Sequence, residues 1–158
     1  MSENLSVGDV APDFQVVNEN STFVSFKDLV NKNIVLYFYP KDNTPGCTIE
    51  ANDFSILTDD FAKEDAVILG VSKDSVKSHQ NFIKKQNIKF NLLADIEGKM
   101  VLDYGVWVEK SMYGKKYMGI ERATFLIGKD KKILNIWRNV KVKNHAQDVL
   151  DVLKQVNN

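Results

Sequence analysis

The sequence predicts an α/β fold, with helices packed around a mixed β-sheet in one domain spanning residues 1–158. Three observations carry this reading. Two apolar runs, at residues 33–39 and 66–72, suit central strands buried on both faces. Segments of helical pattern alternate with the strands, and the chain then closes with a strand pair and an amphipathic helix.

Taken in order, residues 7–14 are turn-rich, and short strand-like stretches follow at 15–17 and 22–24. The strand at 33–39 holds Ile34, Val35, Leu36, Tyr37 and Phe38 without a break, and Pro40 ends it because proline cannot donate to a central ladder. A helix is expected from Pro45 to about Phe61, then the buried strand 66–72 and a helix from about Ser75 to Gln86. Residues 91–94 read as a short strand, and Ile96 to about Tyr104 as helical. Residues 121–127 and 133–138 form a hairpin pattern with its turn at 128–132. Asn144 is a fair N-cap for the last helix, where Ala146, Val149, Leu150, Leu153 and Val156 recur at helical spacing.

Composition narrows the function classes. An apolar content of 44%, with nine Phe, five Tyr and two Trp, supports a packed core and argues against disorder. Lys+Arg and Asp+Glu balance at 21 each, so no global field draws nucleic acid or an anionic membrane. Residues 1–14 lack the basic-then-apolar pattern of a secretory signal, and no apolar run approaches the roughly 18 residues of a membrane helix. A single cysteine does not fit a disulfide-stapled scaffold, and the expected setting is a reducing cytoplasm. His79 and His145 are too few and too separated in sequence to suggest a metal site, and no Gly-rich phosphate loop occurs, so no cofactor is expected.

That cysteine, Cys47, ends the run Pro40-Lys41-Asp42-Asn43-Thr44-Pro45-Gly46-Cys47. Thr44 suits the N-cap and Pro45 the first helical position, which puts Cys47 in the first turn, near free N–H groups and the positive end of the helix dipole. Such a place favours a thiolate and an exposed sulfur; the alternative is a small buried hydrophobe. A magnitude shows what else a reactive thiol needs. Bringing a thiol from about 8.5 to about 6 takes about 3.4 kcal/mol, and a helix terminus typically supplies about 0.3–1 kcal/mol. A cation should therefore lie near the sulfur.

The chain has two arginines, Arg122 and Arg138. Arg122 opens the apolar strand of the hairpin and could reach the sheet end where Cys47 emerges, or it could be an ordinary strand-edge charge. Arg138 reads as a surface residue and Lys41 as solvated. Lys110, Lys115 and Lys116 form a modest basic cluster beside Glu109. Trp107, Tyr113 and Tyr117 suit either core packing or a surface for access and partners.

Pro40, Thr44 and Cys47 match the Pro-x-x-x-Thr-x-x-Cys signature of peroxiredoxins. The longer stretch from Tyr39 through Cys47-Thr48-Ile49-Glu50-Ala51 resembles the peroxiredoxin Q subgroup, also called bacterioferritin comigratory protein. The likeness extends through Val7–Phe14, Tyr104-Gly105-Val106-Trp107, Met112-Tyr113-Gly114-Lys115 and Gly119-Ile120-Glu121-Arg122-Ala123-Thr124-Phe125. The resemblance implies a thioredoxin-like fold and thiol-dependent reduction of hydrogen peroxide or organic hydroperoxides. It makes Cys47 the nucleophile, Thr44 a hydrogen-bond partner of the peroxide, Pro40 a shield from water, Arg122 a holder of thiolate and peroxide, and Glu50 a support for Arg122.

Two positions depart from the subgroup's pattern. Many members carry a resolving cysteine five residues after the first, where this chain has Asn52. A one-cysteine cycle follows, in which an external thiol such as thioredoxin, or glutaredoxin with glutathione, attacks the oxidised sulfur. A redox sensor of the same fold with little turnover is the alternative. Val108 stands where relatives often have glycine, which suggests a local loop effect. A monomer is expected, with a Cys47–Cys47 linked dimer conceivable.

Overall fold

The computed structural model describes residues 4–157. Strands β1 (Val16–Val17) and β2 (Phe23–Val24) pair antiparallel near the start, followed by a short 3-10 turn over Phe26–Leu29. From β3 (Asn33–Phe38) the chain runs through α1 (Pro45–Ile56) and α2 (Thr58–Lys63) to β4 (Ala66–Ser72), and through α3 (Val76–Gln86) to β5 (Asn91–Ala94). After α4 (Lys99–Asp103) come β6 (Trp107–Met112), β7 (Lys115–Ile120), β8 (Ala123–Ile127), β9 (Ile133–Trp137) and α5 (His145–Val156).

Five strands form the central sheet in the order β5-β4-β3-β8-β9. β3 pairs parallel with β4 and antiparallel with β8, so the sheet is mixed at its middle. Every residue of β3 is buried, as its apolar run requires. Its side chains alternate between two cores. Ile34, Leu36 and Phe38 join Phe125, Met100 and Tyr104 on one face, while Val35 and Tyr37 join Phe54, Phe82 and Leu150 on the other. Cys47 belongs to the second core, into which α1, α2, α3 and α5 all pack.

Several boundaries differ from the sequence pattern for identifiable reasons. The helix starting at Pro45 breaks at Leu57 (φ −96°, ψ 6°). There the Thr58 hydroxyl donates to the Phe54 and Ser55 carbonyls (3.2 and 2.9 Å), drawing on acceptors of the last turn. α4 starts only at Lys99, after Gly98 at φ +79°. Asn144 does precede α5, but its side chain makes no capping bond. No apolar alternation announces the β6–β7 hairpin, because residues 111–118 are exposed. Its signal is Tyr113-Gly114, both at positive φ (53° and 79°), as a tight two-residue turn requires. Arg138 is not a free surface residue. Its Nη1 lies 3.4 Å from the Gly105 carbonyl and 3.6 Å from Glu121 Oε1, with the guanidinium over the Phe125 ring.

Candidate active site

The loop after β3 carries Pro40 to Thr44, with Asn43 at φ +64°, and delivers the chain into α1. Thr44 is the N-cap and Pro45 the first helical residue, as the sequence predicts. The Thr44 hydroxyl, however, does not cap the helix; it donates to the Lys41 carbonyl at 2.8 Å. The Thr48 N–H closes the first turn on the Thr44 carbonyl (2.9 Å). The Cys47 N–H thus belongs to the first-turn groups that a helix leaves unpaired.

Where the loop pattern predicts an exposed sulfur, the structure buries it: Cys47 is 1% exposed. Cys47, Ala51 and Phe54 lie on one face of α1, and that face packs into the core beside Val35 and Tyr37. Arg122 arrives from the start of β8. Phe38 pairs with Ala123, so the residue just before β8 stands at the sheet end where the loop begins. One guanidinium nitrogen, Nη2, donates to Cys47 Sγ at 3.4 Å, and Nη1 donates to Glu50 Oε1 at 2.7 Å. Gly46 makes room for this approach, since a Cβ there would stand 3.0 Å from Nη2.

The electrostatics follow from one cation serving two acids. Burial works against the Arg122 charge, but Glu50 and Cys47 outweigh it and the net shift is upward. Burial pushes the Glu50 carboxyl up to about 7 against the pull of Arg122. Burial also raises the Tyr37 phenol well above its ordinary range, with Glu50 and Cys47 adding to the effect. Glu50 Oε2 and Tyr37 Oη have no hydrogen-bond partner among the described residues.

A cavity of about 450 Å³ opens beside this group, lined by Pro40, Val108, Lys110, Glu121, Arg122 and Val140 among others. Val108 therefore belongs to strand β6 and a cavity wall, and its effect is not confined to a loop. Lys110 is only partly exposed, and burial followed by the Arg122 charge holds its ammonium below the usual lysine range. The sequence reads Lys110 as part of a basic cluster and Val108 as a loop position, and it places neither at the site. Trp107 itself packs under the Lys73 ammonium (4.3 Å to the ring centre), and Tyr113 stands at the exposed hairpin turn. Lys41 is exposed, as predicted. Asn52 reaches from α1 to α3, with Nδ2 3.4 Å from Gln86 Oε1.

Beneath the loop lies a buried polar cluster that the sequence does not reveal. Asp42, Asp74 and His79 bring ligand-type atoms within 4.8 Å of one another. Asp42 accepts from the hydroxyls of Tyr39 (2.5 Å) and Ser78 (2.8 Å), and its Oδ2 lies 2.7 Å from His79 Nδ1. These bonds tie Asp42 and His79 to each other and to neighbouring side chains. His145 is likewise buried, sharing a 2.7 Å hydrogen bond with Thr124 Oγ1, and burial pushes its imidazole down to about 4.

Comparison with known proteins matches residues 7–136 to the AhpC/TSA family. Peroxiredoxin Bcp of Bacillus subtilis is 47% identical over 152 residues, covering 96% of this chain and 97% of that protein. Peroxiredoxin Q of Xylella fastidiosa superposes with a TM-score of 0.94 at 40% identity, covering 99% of this chain and 100% of the other. Peroxiredoxin Q of Xanthomonas campestris gives 0.87 at 43% identity over 92% of each chain. Structures of the Xanthomonas bacterioferritin comigratory protein, with the same TM-score and coverage, address its alkyl peroxide reduction activity. With 47% identity to a curated peroxiredoxin along nearly its whole length, and a matching fold, this chain belongs to the AhpC/TSA family, in its peroxiredoxin Q/Bcp branch.

Proposed function

We propose that the protein is a one-cysteine, thiol-dependent peroxidase acting on hydrogen peroxide and organic hydroperoxides. The observation that carries the reading is the Arg122 guanidinium shared between Cys47 Sγ and Glu50 Oε1. Family membership and the alkyl peroxide reduction of the Xanthomonas relative support the same chemistry.

The Cys47 thiolate attacks the nearer peroxide oxygen. An S–O bond forms as the O–O bond breaks, sulfur is oxidised by two electrons, and the departing oxygen takes up a proton to leave as an alcohol or water. Cys47 is left as a sulfenic acid. An ordinary thiol is already a few per cent ionised near neutrality, so complete ionisation gains only about 30-fold. Any larger acceleration comes from aligning the O–O bond and stabilising charge on the leaving oxygen. Arg122 supplies the positive charge that stabilises it. The Thr44 hydroxyl, its proton committed to the Lys41 carbonyl, keeps lone pairs to accept the peroxide O–H. Pro40 walls the cavity and limits water, and Glu50 orients Arg122.

Recycling uses a thiol from another molecule, because the sequence carries one cysteine. That thiol attacks the sulfenic sulfur and releases water, and a second thiol frees Cys47 from the mixed disulfide. Thioredoxin, or glutaredoxin with glutathione, has the required chemistry. A reducing cytoplasm and a monomeric enzyme fit this cycle. Rapid-mixing kinetics with peroxide on wild type, Cys47→Ser and Arg122→Ala test the reading. Wild-type oxidation much faster than that of free cysteine, lost in Cys47→Ser and slowed in Arg122→Ala, is the expected result. A wild-type rate equal to that of free cysteine would overturn the reading, and fast oxidation with no turnover on any thiol would favour a redox sensor.

A further inference from the structure

Both ring nitrogens of His79 face acceptors. Nε2 lies 3.0 Å from the Leu93 carbonyl oxygen, and Nδ1 lies 2.7 Å from Asp42 Oδ2. A carbonyl oxygen can only accept, so Nε2 carries a proton. The short Nδ1 to Oδ2 contact needs a second proton between its two atoms. Asp42 also accepts from the Tyr39 and Ser78 hydroxyls, which makes it the hub of the cluster. The Asp42–His79 hydrogen bond is sealed from solvent, at 1% and 0% side-chain exposure.

A sealed polar pair is weak evidence for stability, because desolvation offsets much of the attraction. Its position in the chain points elsewhere. Asp42 stands midway between Pro40 and Thr44, and its N–H donates to Asp74 Oδ2 (2.8 Å), which the Ser72 hydroxyl also holds (2.7 Å). His79 lies on α3 and Leu93 on β5, so the pair ties the loop to two scaffold elements. The next residue, Asn43, sits in left-handed backbone, and Thr44 is then turned back onto the Lys41 carbonyl. The conformation that presents Thr44 is thus fixed from beneath, at Asp42.

We propose that the buried Asp42–His79 pair is a positioning device for peroxide reduction, holding the 40–44 loop so that Pro40 and Thr44 meet the peroxide that Cys47 attacks. The proposal rests on the peroxidase reading above. Three measurements on the intact protein test it. In Asp42→Asn, oxidation of Cys47 by hydrogen peroxide, followed by rapid mixing, should slow by about tenfold or more, as small misplacements of reacting groups do. Thiolate absorbance at neutral pH should match wild type. An oxidation rate within twofold of wild type, with only the unfolding midpoint lowered, would assign the pair a purely structural role and overturn the proposal.

Should Asp42→Asn not fold, Ser78→Ala removes one of the two hydroxyl donors to Asp42 and decides the matter. A few-fold slower oxidation supports the proposal, and an unchanged rate overturns it. Wild-type oxidation no faster than free cysteine would remove the peroxidase reading and this proposal together, whereas fast wild type with equally fast Asp42→Asn would remove the proposal alone.

Discussion

Replacing Glu50 by glutamine should stabilise the protein progressively as pH rises. The Glu50 carboxyl, 1% exposed, sits at about 7 in the folded protein against an ordinary 4.5, with burial as the main cause. Between those values the folded state binds more protons at this site than the unfolded chain does. Ionisation therefore favours unfolding: the stabilising contribution is whole below about 4.5 and is lost as pH rises through about 7. At about 1.36 kcal/mol per unit the full effect is about 3.4 kcal/mol, of which about 2.5 kcal/mol falls between pH 5 and pH 8. Glutamine keeps the shape, offers an oxygen to Arg122 and does not titrate. Urea unfolding of both proteins at pH 5, 6, 7 and 8, with Cys47 kept reduced, measures the difference, and groups common to both cancel. The stability gap should widen by about 2.5 kcal/mol in favour of Glu50→Gln. A gap that stays flat would mean that Glu50 remains ionised against Arg122 throughout, and one that narrows would reverse the sign of the reasoning.

The other expectations can be checked with the same two assays. In His145→Gln the acid side of the stability profile should flatten. The wild-type imidazole sits at about 4 against 6.5, so it costs stability as pH falls from 6.5 towards 4, up to about 3.4 kcal/mol; equal acid slopes would refute this. Gly46→Ala places a Cβ 3.0 Å from Arg122 Nη2, so peroxide oxidation should slow about tenfold. The unfolding midpoint should hold, since alanine favours a helix over glycine by about 0.5–1 kcal/mol; a lost midpoint with an unchanged rate would contradict the steric account. Arg122→Lys keeps a charge but not the two-pronged bridge between sulfur and carboxylate, and its oxidation rate should fall about a hundredfold by stopped flow. A lysine variant as fast as wild type would show that charge alone suffices.

How far the sequence carries depends on whether the cause of a feature is local. β3 and β4 are legible because strands buried on both faces must be apolar throughout. The helix start is legible because Thr44-Pro45 has few other uses. The free-energy shortfall at the thiol asks for a cation without choosing one; Arg122 is a candidate that the resemblance selects, and it stands 3.4 Å from the sulfur. Other features depend on what the chain meets in space. Burial of Cys47 is imposed by the packing of α1, against a loop pattern that predicts exposure. The α1 break at Leu57 turns on one hydroxyl choosing backbone carbonyls. The β6–β7 hairpin buries too little to leave a periodic trace. Asp42 and His79 lie 37 positions apart, and only the parallel crossover from β3 to β4 and on to α3 brings them together.

The burial of Cys47 sets terms for both halves of the cycle. A sulfur with 1% exposure leaves no open face for a bulky reagent. Oxidants are sorted by the width of their leading end, and a hydroperoxide presents only two oxygens in line. The reductant meets the same constraint from the opposite chemistry. It must carry its thiol on an arm slender enough to enter, or the start of α1 must lift to meet it. Selectivity on the way in and speed of recovery on the way out thus share one origin, the burial of the sulfur.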